Sequence, residues 1–156
     1  MKIRSIRPAD LDSLATMVVE FEKHLAAMDG KRIRLSQATV RRDLVRRGFG
    51  PRAFFRGLIA GEGRECCGYL LYHFAYDATA RRGALEVSDL YVRKAWRRKA
   101  VGKALMQRAR DIALKRGCSR MRWMVWNRNP PAMAFYLGLG ATTVDDEILM
   151  DWKIAP

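Results

Sequence analysis

The run Asp89-Leu-Tyr-Val-Arg-Lys-Ala-Trp-Arg-Arg-Lys-Ala-Val-Gly-Lys-Ala-Leu105 holds the residues best suited to chemistry. An apolar, strand-like segment enters a short basic loop with small residues, and the loop opens into an amphipathic helical pattern. A helix N-terminus presents amides without intrahelical partners. Basic side chains beside it add positive charge. The combination suits a phosphate or pyrophosphate. Arg97, Arg98, Lys99, Ala100, Val101, Gly102 and Lys103 form this candidate anion grip.

Positioning such a loop requires a strand before it and a packed helix after it. Lys2 to Ile6 reads as a first strand that Pro8 ends. Leu11, Leu14, Ala15, Val18, Val19 and Leu25 then recur at helical spacing. Ser36 to Arg47 is a second helix, stopped by Gly48-Phe49-Gly50-Pro51. Ala53 to Ala60, Cys66 to Tyr76 and Ala84 to Val92 read as strands of an antiparallel meander, with turns at Gly61 to Gly63 and Arg81 to Gly83. Val101, Leu105, Ala109 and Ile112 mark the next helix, and Gly117 closes it. Met121 to Trp126 is a further strand, and Pro130 to Tyr136 a short helix. Ala141 to Val144 and Ile148 to Trp152 have the pattern of a final hairpin. The order predicts an α+β, α/β-like fold: a mixed, mostly antiparallel sheet of about seven strands flanked by about four helices.

At Arg97 to Gly102 the chain resembles the GNAT N-acetyltransferase superfamily, whose signature is Arg/Gln-x-x-Gly-x-Gly/Ala between a strand and a helix. Arg97 and Gly102 match, Ala104 follows as a second small residue, and Ala100 replaces the first glycine. An alanine there allows close backbone approach if its φ is negative. Asn129-Pro-Pro-Ala-Met-Ala-Phe-Tyr136, followed by Gly138-Leu-Gly140-Ala141, is similar to the second GNAT signature. The resemblance implies that the amides from Arg98 to Lys103 cradle the pyrophosphate of acetyl-CoA. It also implies that Leu90, Tyr91 and Val92 offer backbone groups to the pantetheine arm, and that Asn129 and Ala132 line its path. Tyr136 takes the family's general-acid role, protonating the departing CoA thiolate.

Asp43-Leu44 through Ala60, Tyr72 to Asp77 and Ser88 to Val92 resemble the diamine acetyltransferases, the spermidine/spermine and thialysine enzymes. By that resemblance Glu22, Ser88 and Asp89 belong to the amine site. A glutamate that helps collect the amine's proton is replaced here by Ser88. Glu86, two residues earlier and therefore on the same strand face, can serve through a water. Some base is required, because an alkyl ammonium has a pKa near ~10.4 and is seldom a free amine at neutral pH.

The chain has 156 residues, enough for one domain, read as a single N-acetyltransferase domain spanning 1–156. Lysines and arginines number 30 against 16 acidic residues, a formal net charge of +14. Such charge favours acidic partners, nucleotide cofactors or polyanions. It lies in scattered groups, however, which makes nucleic acid the weaker reading. It also opposes a polycationic acceptor unless Glu22, Glu86 and Asp89 form a local acidic pocket. Cys66, Cys67 and Cys118 lack zinc-site spacing and read as free thiols in a reducing compartment; His24 and His73 read as incidental, so no metal is expected. No apolar run approaches a membrane span, and the default is a cytoplasmic protein.

The expected reaction transfers acetyl from acetyl-CoA to a primary amine of a small molecule: a polyamine, a thialysine-like or an amino-acid-like compound. Attack is direct, in a ternary complex. A homodimer is expected by resemblance, and Trp152 and Ile154 are compatible with it. The alternative is a basic module on the same fold, sensing CoA or nucleic acid without turnover.

Overall fold

The computed structural model describes residues 1–63 and 65–154. The chain packs as two compact units, Met1–Met124 and Val125–Pro156. In the first, β1 (Lys2–Ser5), α1 (Leu11–Met28), α2 (Gln37–Gly48), β2 (Arg56–Glu62), β3 (Glu65–Asp77), β4 (Arg82–Val92), α3 (Val101–Lys115) and β5 (Cys118–Trp123) follow in order. The second contains α4 (Pro130–Leu137).

The strands form one sheet in the order β1-β2-β3-β4-β5. All neighbours are antiparallel except β4 and β5, which run parallel because α3 carries the chain back across the sheet. On one face, Leu11, Leu14, Ala15 and Met17 of α1 and Val40 and Leu44 of α2 pack with Ile59, Tyr69, Leu71 and Tyr91. These sheet residues sit at alternate positions, as the two-residue side-chain period requires. Helix α3 packs against the strands through its own apolar stripe, with Val101, Leu105 and Ala109 almost wholly buried.

The start of α1 is held from outside the helix. Asp10 accepts the Arg7 amide at 2.8 Å and two bonds from the Arg4 guanidinium, at 2.6 and 2.7 Å. A bidentate, charge-assisted contact of this kind fixes β1 to the helix it precedes. It also holds the Asp10 carboxyl below the usual carboxylate range, the Arg4 hydrogen bonds being the main cause.

Two local features distinguish the β3–β4 pair. Gly68 lies opposite Val92, and a Cβ at position 68 would meet the Tyr91 carbonyl oxygen at 2.6 Å. Glycine is what allows these backbones to come so close. Further along, Leu71 pairs with Asp89 while Tyr72 pairs with Val87, so Ser88 is an extra residue in β4, a β-bulge.

The expected elements recur with shifted bounds, the largest shift being β5, which begins at Cys118 and ends at Trp123. The expected final hairpin is different. Residues 141–144 and 148–152 form no strand, and the described sheet has five strands rather than about seven. Ile148, Met150 and Trp152 are 85%, 85% and 91% exposed, so no burial drives them to pair, and a two-stranded ribbon alone is marginal in water. All three cysteines are free.

The Gly68 contact is with backbone, which cannot move aside as a side chain can. Gly68→Ala should therefore destabilise the fold by about 1–3 kcal/mol in urea unfolding, as overpacking does. An unchanged midpoint would show that the strands separate freely.

Candidate active site

Strand β4 is longer than its partner. The β4–β5 ladder ends at Val87↔Trp123, whereas β4 continues to Val92 paired with β3. From Ser88 to Val92, one edge of β4 has no neighbouring strand among the described residues. The backbone groups of Leu90, Tyr91 and Val92 lie in this stretch. The Tyr91 side chain is occupied elsewhere: it is buried among Phe21 and Tyr69, with ring centroids at 5.6 and 6.1 Å, and its hydroxyl donates to Glu20 at 3.2 Å. Arg93 grips the same Glu20 carboxylate. The end of β4 is thereby fastened to α1.

The basic loop leaves β4 through a single 3-10 turn, Lys94–Trp96. Arg97 folds back and donates to the Val92 carbonyl at 3.0 Å, which makes it a brace for the loop. Lys99 places its ammonium 4.9 Å from the centre of the Trp96 ring, and the Trp96 indole donates to Glu65. Arg98 and Ala100 both have positive φ, +62° and +59°. The condition of a negative φ at Ala100 is therefore not met. The family's first glycine position is left-handed here, and an alanine occupies it under strain. Ala100 is the N-cap of α3, and the first bond of the helix runs from the Ala104 amide to the Ala100 carbonyl at 3.0 Å. The amides of Val101, Gly102 and Lys103 precede that ladder. No side chain caps them, and no acid lies in the first turn. An anion is the natural complement of such an end.

The two acidic candidates on β4 have different surroundings. Glu86 is the register partner of Arg122 across the parallel pair, and its carboxylate accepts from Arg122 at 2.9 Å. This engagement was not expected, and it occupies the carboxylate that an incoming amine would have to reach. Asp89 lies beyond the bulge, opposite Leu71 on the face covered by α1 and α2. Its carboxyl is pushed up to about 6, by burial first and by the nearby Glu22 carboxylate second. Tyr69 is fully buried, its hydroxyl has no hydrogen-bond partner among the described residues, and burial first, then the Asp89 and Glu22 carboxylates, push its pKa up. Ser88 points its hydroxyl to His73 Nδ1 at 3.5 Å. The structure thus sets two desolvated groups, Tyr69 and Asp89, near the exposed carboxylate of Glu22. Sequence reading missed Tyr69, because nothing in the chain marks its hydroxyl as unpartnered.

Beside Glu22 lies an open cleft of about 470 Å³ between α1, the 33–35 segment and α2. Its lining includes Val40 and Leu44 with Glu22, Asp43, Arg34 and Arg47. Neither arginine was singled out from the sequence.

In the second unit, Asn129 caps α4, its side-chain oxygen accepting from the Ala132 amide at 3.2 Å. This cap orders the helix that carries Tyr136. The Tyr136 ring is half-buried with its centroid 5.0 Å from that of Phe135, and its carbonyl accepts the amides of Leu139 and Ala141.

Left-handed strain at a non-glycine residue costs about 1–2 kcal/mol, and glycine's added freedom in the unfolded chain costs about 0.4–1 kcal/mol. Ala100→Gly should therefore stabilise the protein by up to about 1 kcal/mol. A lower urea midpoint in that variant would contradict the left-handed geometry.

Comparison with known proteins agrees with this geometry. The profile described as the Acetyltransferase (GNAT) family matches residues 32–141. Thialysine N-epsilon-acetyltransferase of Mus musculus is 32% identical over 152 residues, covering 90% of this chain and 83% of that protein. Spermidine/spermine N(1)-acetyltransferase-like protein 1 of Homo sapiens is 30% identical over 112 residues, which cover 67% of this chain and 16% of that protein. Both carry names of the branch to which the sequence resemblance points. Among solved structures, an integron cassette protein from the mobile metagenome of V. cholerae superposes with a TM-score of 0.86 at 22% identity, covering 97% of this chain and 91% of that one. With a family match over most of its length and a curated relative of this identity, the chain belongs to the GNAT acetyltransferase family.

Proposed function

We propose that this N-acetyltransferase moves an acetyl group from acetyl-CoA to a primary amine of a small molecule, by direct attack within a ternary complex. Polyamine, thialysine-like and amino-acid-like amines are the acceptor classes. The observation that carries the reading is the continuity of β4's open edge with the uncapped start of α3. An extended amide-bearing arm fits the edge, and a pyrophosphate fits the amides of Val101, Gly102 and Lys103. The donor supplies an activated acetyl thioester. Arg97 holds the loop to the strand, while Arg98, Lys99 and Lys103 provide positive charge. Residues 1–156 act as one N-acetyltransferase domain in this reading.

Asp89, rather than Glu86, takes the proton from the acceptor ammonium, and Glu22 helps attract that ammonium. The neutral amine then forms the new C–N bond, and the C–S bond breaks. Tyr136 gives its phenolic proton to the departing thiolate and recovers one from solvent. No metal is required by these steps. The reading places the enzyme in the cytoplasm, where free cysteines fit a reducing environment, and as a homodimer that would cover the exposed apolar tail around Trp152 and Ile154.

Binding and turnover test the reaction. Calorimetry should show sub-millimolar acetyl-CoA binding, and thiol release should appear with a member of a panel of polyamines, thialysine, amino acids and peptides. Tyr136→Phe should lower kcat by about 10²-fold or more with little change in acetyl-CoA affinity. Full activity in that variant would remove Tyr136 from the acid role.

The pH profile tests Asp89. With an ammonium acceptor, kcat/KM should be level from about pH 6 up to the acceptor's own pKa. It should fall about tenfold per pH unit below 6, as Asp89 gains a proton. In Asp89→Asn the level region should disappear, because only acceptor already deprotonated by solvent can react. An unchanged profile in that variant would return the proton to another group.

A further inference from the structure

Two buried side-chain oxygens have no hydrogen bond among the described residues, one on Asp77 and the hydroxyl of Tyr69. The Asp77 oxygen is answered by an ion pair with Arg120 at 2.9 Å. The Tyr69 hydroxyl has no such compensation. The Tyr69 side chain belongs to the core cluster with Leu14, Met17, Leu71 and Tyr91, where a phenylalanine would pack as well. A hydroxyl taken from water without a hydrogen bond costs stability and calls for a partner. The strand register shows where that partner is. Tyr69 pairs with Tyr91 and Leu71 with Asp89, so Tyr69 and Asp89 are diagonal neighbours on the face covered by α1 and α2. Diagonal positions are about 7–8 Å apart, within reach of an aromatic side chain. Asp89 is half-buried and Tyr69 wholly so, which sets the hydroxyl deeper than the carboxylate. Of the charged groups around the hydroxyl, Asp89 acts on it most strongly, then Glu22 of α1, with Glu20 weaker. Helix α2 faces this cluster with Val40 and Leu44, while its Asp43 and Arg47 line the cleft beside Glu22. Every charged group that acts on the phenol is thus a carboxylate, an acceptor for the hydrogen that the phenol donates.

We propose that Tyr69 is a positioning residue for acetyl transfer: its hydroxyl donates through one buried water to the Asp89 carboxylate, and keeps that group oriented and ready to accept the proton of the acceptor. This rests on the reading of Asp89 as the base. A single water accepts from the phenol and donates to the carboxylate, and Glu22 is the nearest further acceptor for its second hydrogen. Burial and the Glu22 carboxylate both favour the protonated form of Asp89. A hydrogen bond made to the charged form favours that form instead, so Tyr69 opposes both effects. Phenylalanine would keep the ring and remove the opposition.

Tyr69→Phe separates this role from packing. With any amine that is turned over, the acid limb of kcat/KM should move up by about one pH unit relative to the wild type, the effect of one hydrogen bond to a charged group. On that limb the variant should be about tenfold slower, and well above it within about twofold of the wild type. Urea unfolding reads the same contact without turnover. The bond lowers the proton affinity of the folded-state carboxylate, so its stabilisation is present at high pH and lost as pH falls through the Asp89 midpoint. The wild type should therefore be more stable than Tyr69→Phe at about pH 8 and lose that advantage by about pH 4. A variant more stable than the wild type by one margin at every pH, with its acid limb unmoved, would show an idle hydroxyl and overturn the proposal.

If Tyr69→Phe does not fold, the wild type decides. A buried hydroxyl proton exchanges slowly enough for proton NMR, and the Tyr69 signal should shift with the midpoint of Asp89 and cease to do so in Asp89→Asn. A Tyr69 signal that ignores pH over that range overturns the proposal. The proposal and the reading beneath it fail separately. A pH-dependent stability difference without acetyl transfer to any amine supports the contact between Tyr69 and Asp89 and removes the reaction. Acetyl transfer with an unmoved acid limb in Tyr69→Phe sustains the reaction and removes Tyr69 from it.

Discussion

The register between β3 and β4 is the constraint on which the rest depends. At one end Gly68 lets the strands approach until the Tyr91 carbonyl leaves no room for a Cβ. Partway along, the extra residue Ser88 shifts the ladder by one position. Without that bulge, Asp89 and Glu86 would occupy different places relative to the helices. With it, Asp89 lies under α1 near Glu22, whereas Glu86 meets Arg122 on β5. The same strand delivers the chain to the 3-10 turn and then to α3. The acid group, the open strand edge and the anion-binding helix end are therefore three consequences of one pairing.

Charge is distributed with similar economy. The protein carries +14 overall, yet the carboxylates of Glu22 and Asp89 are close enough that one raises the other. A buried carboxylate with a like charge beside it costs stability and is tolerated where it does chemistry. Several acids elsewhere are compensated: Asp10 by Arg4, Glu20 by Arg93, Glu86 by Arg122. The contrast distinguishes structural ion pairs from the acid group that remains uncompensated.

Much of this was legible in the sequence because it depends on local patterns. Leu11, Leu14 and Ala15 announce α1, and small residues with arginines announce the start of α3. The Pro130-to-Tyr136 stretch announces a short helix, and the structure adds that Asn129 caps it. What was hidden depends on pairing across the chain. A bulge leaves no mark on composition, so Ser88 and Asp89 looked like consecutive residues of a regular strand. The left-handed φ at Ala100 runs against the residue type. Arg34 and Arg47 lie 13 positions apart on either side of a helix start, and only packing brings them to one cleft. The alternating apolar residues near the C-terminus illustrate the opposite error: the pattern of a strand without the burial that makes one.

The open edge of β4 has a colloidal consequence. A row of amides and carbonyls without a neighbouring strand is a template onto which another extended chain can add, and such edges seed edge-to-edge aggregation. Here the edge leads straight into a segment with five basic residues between Arg93 and Lys99. Two molecules approaching edge to edge would bring those clusters together, and the repulsion acts over about a Debye length, ~8 Å at physiological ionic strength. The basic loop therefore discourages self-association along the strand that must stay open, and high salt should weaken that safeguard first.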